Sequence, residues 1–242
     1  PSCDEGEWMS SDALLELQGV VKRFHGLAVV QDLGFILKPG EILGLVGPNG
    51  SGKTTAINLI SGIYSVDAGE IRLNGRRIDR LAAFRRVHLG INRSFQVPRP
   101  FRGMTVAENV LVAAEYGGGR SDQEQILEEV GLAAERDRVA GALTVNHQKM
   151  LDLARALATE PKILLVDEIG AGLNPAELNV VADLLLRLAR RGIALIVVEH
   201  LLKFLNRITD RVLVLSAGRR LFEGTLAEAS ADPEVVAAFL GG

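Results

Sequence analysis

Gly47-Pro48-Asn49-Gly50-Ser51-Gly52-Lys53-Thr54, followed by Thr55, is the stretch on which the reading of this sequence turns. It satisfies G-x-x-x-x-G-K-[ST], the phosphate-loop pattern. Ile42 to Val46 run into it as a short apolar strand, and Thr55 to Ile60 leave it with helix-compatible composition that Ser61-Gly62 can end. Gly47, Gly50 and Gly52 let the backbone pass close to a polyphosphate with no Cβ in the way. Successive N–H groups then form an anion nest at a helix N-terminus. Lys53 supplies a charge for the outer phosphates, and the Thr54 hydroxyl can coordinate the magnesium that travels with a nucleotide. A glycine-rich turn with a surface lysine is the bland alternative; the full pattern between strand and helix argues against it.

Composition narrows the classes. With 242 residues and 48% hydrophobic content the chain can bury a substantial core. A net charge of −3, from 27 basic and 30 acidic residues, argues against a nucleic-acid protein held by gross charge. Cys3 is the only cysteine, so no intrachain disulfide can form. No apolar run reaches the roughly 18 residues of a spanning helix, so a membrane role would be peripheral. Residues 1–12 are expected to be a disordered leader or tag remnant, with the folded domain over 13–242.

Working outward, Leu14 to Val21 and Leu33 to Leu37 read as strands, with Pro39-Gly40 a turn before the phosphate-loop strand. Gly69 to Leu73, Asn74-Gly75 and Arg76 to Ile78 read as a hairpin with a tight turn. Thr105-Val-Ala-Glu108 is a capping box opening a helix to about Tyr116, broken by Gly117 to Gly119; Ser121-Asp-Gln-Glu124 reads as a second, with Gly131 as its helix stop. A helical part without strands is therefore expected over about 97–160, closed by a helix that Pro161 ends. Beyond it, Ile163 to Asp167, Ile193 to Val198, Arg211 to Leu215 and Arg219 to Phe222 read as strands. Asn174-Pro175-Ala-Glu177 caps a helix with Leu178, Val181, Leu184, Leu185 and Leu188 on one side and Gly192 at its end, and Asp232-Pro233-Glu234 starts a short C-terminal helix. Strands alternating with helices predict a largely parallel sheet covered on both faces.

Two strand ends carry chemistry. Ile163-Leu-Leu-Val-Asp167-Glu168 is a buried strand delivering two carboxylates at the edge where open parallel sheets bind ligands. Asp167 is placed to hold hydrated magnesium, and Glu168 to orient or deprotonate an attacking water. Val197-Val-Glu-His200 repeats the device, with His200 able to contact a γ-phosphate. His25, His88 and His147 have no comparable support as catalytic groups, and no metal-ligand spacing is visible.

These residues carry a resemblance. GPNGSGKT at 47–54, RSFQ at 93–96, LARALATEPKILLVDE at 153–168, AGLNP at 171–175 and IVVEH at 196–200 are similar to the ATP-binding subunit of ABC transporters, over essentially residues 13–241. SFQVPRPFRGMTVAENVLVAA, DEIGAGLNPAE and DPEVVAAFLG resemble the branched-chain amino-acid importer group. The resemblance implies an α/β phosphate-loop core with an antiparallel β ribbon and a helical subdomain. It implies ATP and Mg2+ as ligands and hydrolysis of ATP with Glu168, His200 and Gln96 in the catalytic set. Thr54, Gln96 and Asp167 would hold the metal, and Phe24 would stack on adenine. Gln96 is the family's flexible-loop glutamine, and Val97 to Met104 resemble part of the groove that receives a permease helix. Implied partners are transmembrane permease subunits, a second ATP-binding subunit and, indirectly, a solute-binding protein; no nucleic acid is expected. The implied location is the cytoplasmic face of the inner membrane.

One motif departs. Where the family has LSGGQ or LSYGQ, this chain has Leu143-Thr144-Val145-Asn146-His147. Thr144 keeps a hydroxyl, Asn146 replaces a glycine whose backbone approaches the γ-phosphate, and His147 replaces glutamine; Ile169 also stands where proline is usual. In the family each ATP lies between one subunit's phosphate loop and the other's signature loop. An intact first half and an altered second half favour a heterodimer over a homodimer. Two other classes compete with the importer reading: a soluble ABC ATPase without a transport role, and a regulatory subunit that binds ATP but hydrolyses it weakly.

Overall fold

The computed structural model describes residues 12–94, 97–119 and 122–240. Two sheets organise the chain. The first is antiparallel and has the order β2-β1-β4-β5, built from β1 (Leu15–Phe24), β2 (Leu27–Leu37), β4 (Ala68–Leu73) and β5 (Arg76–Arg77). The second has the order β10-β9-β3-β8-β7-β6, from β3 (Ile42–Val46), β6 (Ile91–Arg93), β7 (Ile163–Asp167), β8 (Ala194–Val198), β9 (Arg211–Ser216) and β10 (Arg219–Gly224). Its strands run parallel except for β10, which pairs antiparallel with β9.

The apolar strands of the second sheet alternate between two cores, as a pleat with both faces covered requires. Leu43, Leu45, Ile163, Leu165, Ile196 and Leu213 pack with α1 (Lys53–Ser61) and the antiparallel sheet, against Leu15, Phe35, Ile57, Ile60 and Ile71. Their neighbours Ile42, Leu164, Val166, Leu195, Val197 and Val212 face the opposite way. There they meet the buried sides of α5 (Val145–Leu157), α6 (Pro175–Arg190) and α7 (Leu202–Ile208). The predicted stripe of α6 is buried at Val181, Leu184, Leu185 and Leu188, and its capping box is made by Asn174 and Glu177. Leu178 is only partly buried against that core.

Between β6 and β7 the described residues form α3 (Val106–Gly117), α4 (Gln123–Glu129), two short 3-10 turns and α5, with one isolated bridge between Thr105 and Val139. Thr105 and Glu108 make the expected capping box. Remaining short helices are α2 (Ala83–His88), α8 (Leu226–Ala231) and α9 (Pro233–Leu240). No described helix is long and apolar enough to cross a membrane.

Several boundaries move. β2 begins at Leu27 rather than Leu33, because His25 (φ 50°) and Gly26 (φ 86°) make a tight hairpin turn that a histidine does not announce. β5 stops at Arg77, before Ile78. The N-cap of α4 is Asp122, whose carboxylate accepts from Glu124 N at 2.9 Å; Ser121 lies outside the described residues. α5 ends at Leu157, ahead of Pro161. The expected leader lies outside the described residues apart from Asp12.

Gly218 is one of the points at which the sheets are joined. Gln31 N, on β2, donates to Gly218 O at 2.7 Å, while Gly218 N donates to Ser51 O at 3.1 Å. Gly218 has φ 81°, and a Cβ there would lie 2.5 Å from Val29 O.

Candidate functional site

Strand β3 is buried at every residue and delivers the loop that follows it at a fixed place on the sheet edge. A Cβ on Gly47 would stand 2.2 Å from Leu215 O, and one on Gly52 (φ 103°) 2.9 Å from Val29 O, so the loop is wedged between the two sheets. Gly52 caps α1 with no side chain, leaving the helix N-terminus for an anion. Ser51 Oγ is buried without a hydrogen-bond partner. Lys53 Nζ donates to Gly47 O at 2.8 Å and Pro48 O at 2.9 Å. Burial pulls its pKa down, against the pull of Glu168 and Asp167.

Asp167 ends β7 and is 3% exposed. Burial pushes its carboxyl up, opposed by the Arg93 guanidinium 3.5 Å away. Arg93 also donates to Asn58 Oδ1 at 2.5 Å, so it joins the end of β6 to α1 and to the acid. Glu168 lies at φ 50°, a left-handed conformation that costs about 1–2 kcal/mol for a residue with a Cβ. The conformation is braced by Glu168 N donating to Val198 O at 2.9 Å. Glu168 Oε1 stands 3.0 Å from His200 Nε2. A carboxylate against an imidazole can position and deprotonate a water, and an imidazole can meet a developing negative charge.

Asn49, Gly50, Gly52, Lys53, Thr54, Thr55, Glu168 and His200 line one open cleft of about 170 Å³ together with Val29. Asp167 is buried and not part of this lining. Phe24 ends β1, half-buried, with its ring 5.1 Å from that of Tyr64 in an edge arrangement and Lys22 Nζ 5.4 Å from its centroid. Thr144 caps α5 by accepting from His147 N at 3.2 Å, and Asn146 Nδ2 donates to Glu177 Oε1 at 3.1 Å; neither Thr144, Asn146 nor His147 lines the cleft. Gln96 lies outside the described residues. Among the described residues no group of three or more His, Cys, Asp or Glu is arranged for a metal; the Thr54 hydroxyl and the Asp167 carboxylate are oxygens of the type that Mg2+ takes.

Residue-by-residue reading of the sequence passed over Arg93, Lys149 and Glu199. Arg93 and Glu199 sit inside quoted motifs, and Lys149 lies two residues past the signature loop, yet each reads as an ordinary surface charge. Lys149 and Glu199 are in fact 7% and 3% exposed and hold the loop after Glu168.

Comparisons with known proteins give the family and the fold. Residues 30–171 match the family model described as ABC transporter. The high-affinity branched-chain amino acid transport ATP-binding protein BraF of Pseudomonas aeruginosa is 34% identical, over 96% of this chain and 99% of that protein. LivG of Escherichia coli, with the same description, is 35% identical over 96% and 99%. A probable branched-chain amino acid transport protein of this kind from Archaeoglobus fulgidus is 33% identical over 94% and 95%. Among solved structures, a nucleotide-free ATP-binding cassette from an ABC transporter superposes with TM-score 0.85 at 30% identity, covering 93% of this chain and 97% of that one. An ATP-binding cassette in its ADP conformation superposes with TM-score 0.86 at 29% identity, over 95% and 99%. The chain belongs to the ABC transporter family, as an ATP-binding and ATP-hydrolysing subunit.

Proposed function

We propose that this subunit powers an importer for branched-chain amino acids or related small polar solutes, from the cytoplasmic face of the membrane. The observation that carries the reading is the meeting, in one cleft, of the loop over 49–55 with the Glu168–His200 pair. The family and its relatives supply the transport context. In this reading the loop's N–H groups and Lys53 hold the triphosphate, Phe24 stacks on the base, and Glu168 orients the attacking water. His200 contacts the γ-phosphate. Thr54 and Asp167, with Gln96, would hold Mg2+, which when bound neutralises phosphate charge.

Coupling to permease subunits is assigned to residues 97–104. Val97, Phe101 and Met104 are 68%, 45% and 37% exposed. The backbone beneath them is pinned nevertheless: buried Asn109 accepts from Phe101 N at 2.8 Å, and Arg155 donates to Arg99 O at 2.8 Å. An apolar patch on a fixed backbone suits docking of an apolar helix.

The altered loop over 143–147 supports pairing with a second, different ATP-binding subunit that carries the usual signature. ATP turnover of the chain alone and with its partner tests this; full activity alone refutes it. The same loop favours a second reading, a nucleotide-holding regulatory subunit. Glu168→Gln separates the two. The motor subunit loses turnover by about 10²-fold or more while retaining ATP. Unchanged turnover would overturn the motor reading.

A further inference from the structure

The buried ammonium of Lys149 is spent on backbone. Its Nζ lies 2.5 Å from Ala171 O, 3.2 Å from Ile169 O and 3.4 Å from Glu168 O. A cation is a demanding group to bury, and here it is aimed at carbonyls of the four residues that begin with the acid. The same loop is held from the other side. Glu199 Oε1 accepts from Gly170 N at 2.6 Å, and a Cβ on Gly170 would lie 3.1 Å from that oxygen and 2.9 Å from Leu178 Cδ2. One charge thus takes the loop's C=O groups and an opposite charge takes its N–H. Burial pushes the two pKa values in the corresponding directions, down for Lys149 and up for Glu199, with each charge partly relieving the other.

Lys149 belongs to α5, whose first turn is the altered signature. Asn146 is one turn before it on the same face, and its amide reaches Glu177, whose other oxygen accepts from Asn174 N at 2.8 Å. Two side chains of α5 therefore tie that helix to both ends of the 168–177 segment.

We propose that Lys149 is a positioning residue for Glu168, fixing the acid's backbone to the signature helix so that a displacement of α5 displaces the carboxylate. The proposal rests on the reading of Glu168 as the group that orients water. Position of such a group is worth rate: a shift of about 1 Å costs on the order of 10²-fold.

The test is steady-state ATP turnover and ATP half-saturation of the full chain in its purified transporter complex, for Lys149→Gln, Lys149→Arg, Glu168→Gln and the double variant Lys149→Gln/Glu168→Gln. Lys149→Gln lowers kcat about tenfold with half-saturation unchanged within about twofold, and Lys149→Arg, which keeps the cation, restores kcat to within about threefold. The double variant turns over no more slowly than Glu168→Gln alone, because the lysine acts through the acid. Glu199→Gln carries the same test if Lys149→Gln yields no folded chain. Unchanged kcat in Lys149→Gln, a parallel loss of ATP affinity, or an additive loss in the double variant overturns the proposal. If Glu168→Gln itself retains turnover, the functional reading beneath it fails instead.

Discussion

Arg86→Met is expected to destabilise the chain more than any change on its surface. Arg86 is 1% exposed, and it faces backbone carbonyls. Its Nε donates to Leu81 O at 3.0 Å, Nη1 to Leu59 O at 2.6 Å and Ile60 O at 2.9 Å, and Nη2 to Asp79 O at 3.0 Å. Leu59 and Ile60 close the last turn of α1, so the arginine supplies the donors that a helix C-terminus lacks. Burial pulls its pKa down to about 10, leaving it charged at neutral pH. Bonds from a charged donor contribute about 1.5–3 kcal/mol each, but burying the guanidinium offsets several kcal/mol of that. Removing the guanidinium leaves neutral carbonyls without that donor, at about 1–3 kcal/mol for each that stays unpaired, so a net loss of about 3–5 kcal/mol is expected. For a domain of this size 1 kcal/mol moves Tm by roughly 2–4 °C, so Tm should fall by about 10 °C. Urea unfolding and calorimetry at pH 7.5 measure both quantities. A loss below about 1 kcal/mol would mean that the carbonyls find water or new donors, and would refute the account of how α1 is ended.

Gly47→Ala should abolish ATP binding measured by calorimetry, because its methyl group cannot share space with Leu215 O without displacing the loop. Phe24→Ala should weaken ATP binding by about 1–3 kcal/mol but leave binding of inorganic tripolyphosphate unchanged, since in the proposed reading only the base meets the ring. Glu199 has its pKa raised in the folded chain, above 4.5. Between 4.5 and the raised value the folded state therefore binds more protons than the unfolded one, and stability falls as pH rises through that window. Glu199→Gln removes this term, so the stability of the native chain relative to the variant should rise as pH is lowered from 8 toward 4.5 in urea titrations.

The parallel core was legible because buried strands announce themselves: ILGLV, ILLVD and ALIVV carry few residues that tolerate water. The capping boxes at Thr105 and Asn174 were legible because both partners lie within four residues. What escaped is held together by distant partners. α2, β6 and α7 are short, and their places are set by packing rather than by pattern; α8 does open on a local capping box, Thr225 with Glu228, which went unread. The roles of Lys149 and Glu199 depend on a loop 20 or more residues away, and nothing local distinguishes a buried charge from a solvated one.

The seam at Gly218 sets a length. Phe24 belongs to the antiparallel ribbon and Ser51 to the phosphate loop, and strand β2 of the ribbon and that loop are both stitched to the same residue of the β9–β10 turn. That residue has no room for a side chain against Val29. With Phe24 as the proposed base contact, its span to the phosphate loop is set by these backbone bonds together with the Arg211 and Arg220 side chains, which donate to Ile36 O at 2.7 Å and Gly34 O at 3.2 Å. A cassette can drift widely in its surface residues and still measure out one nucleotide.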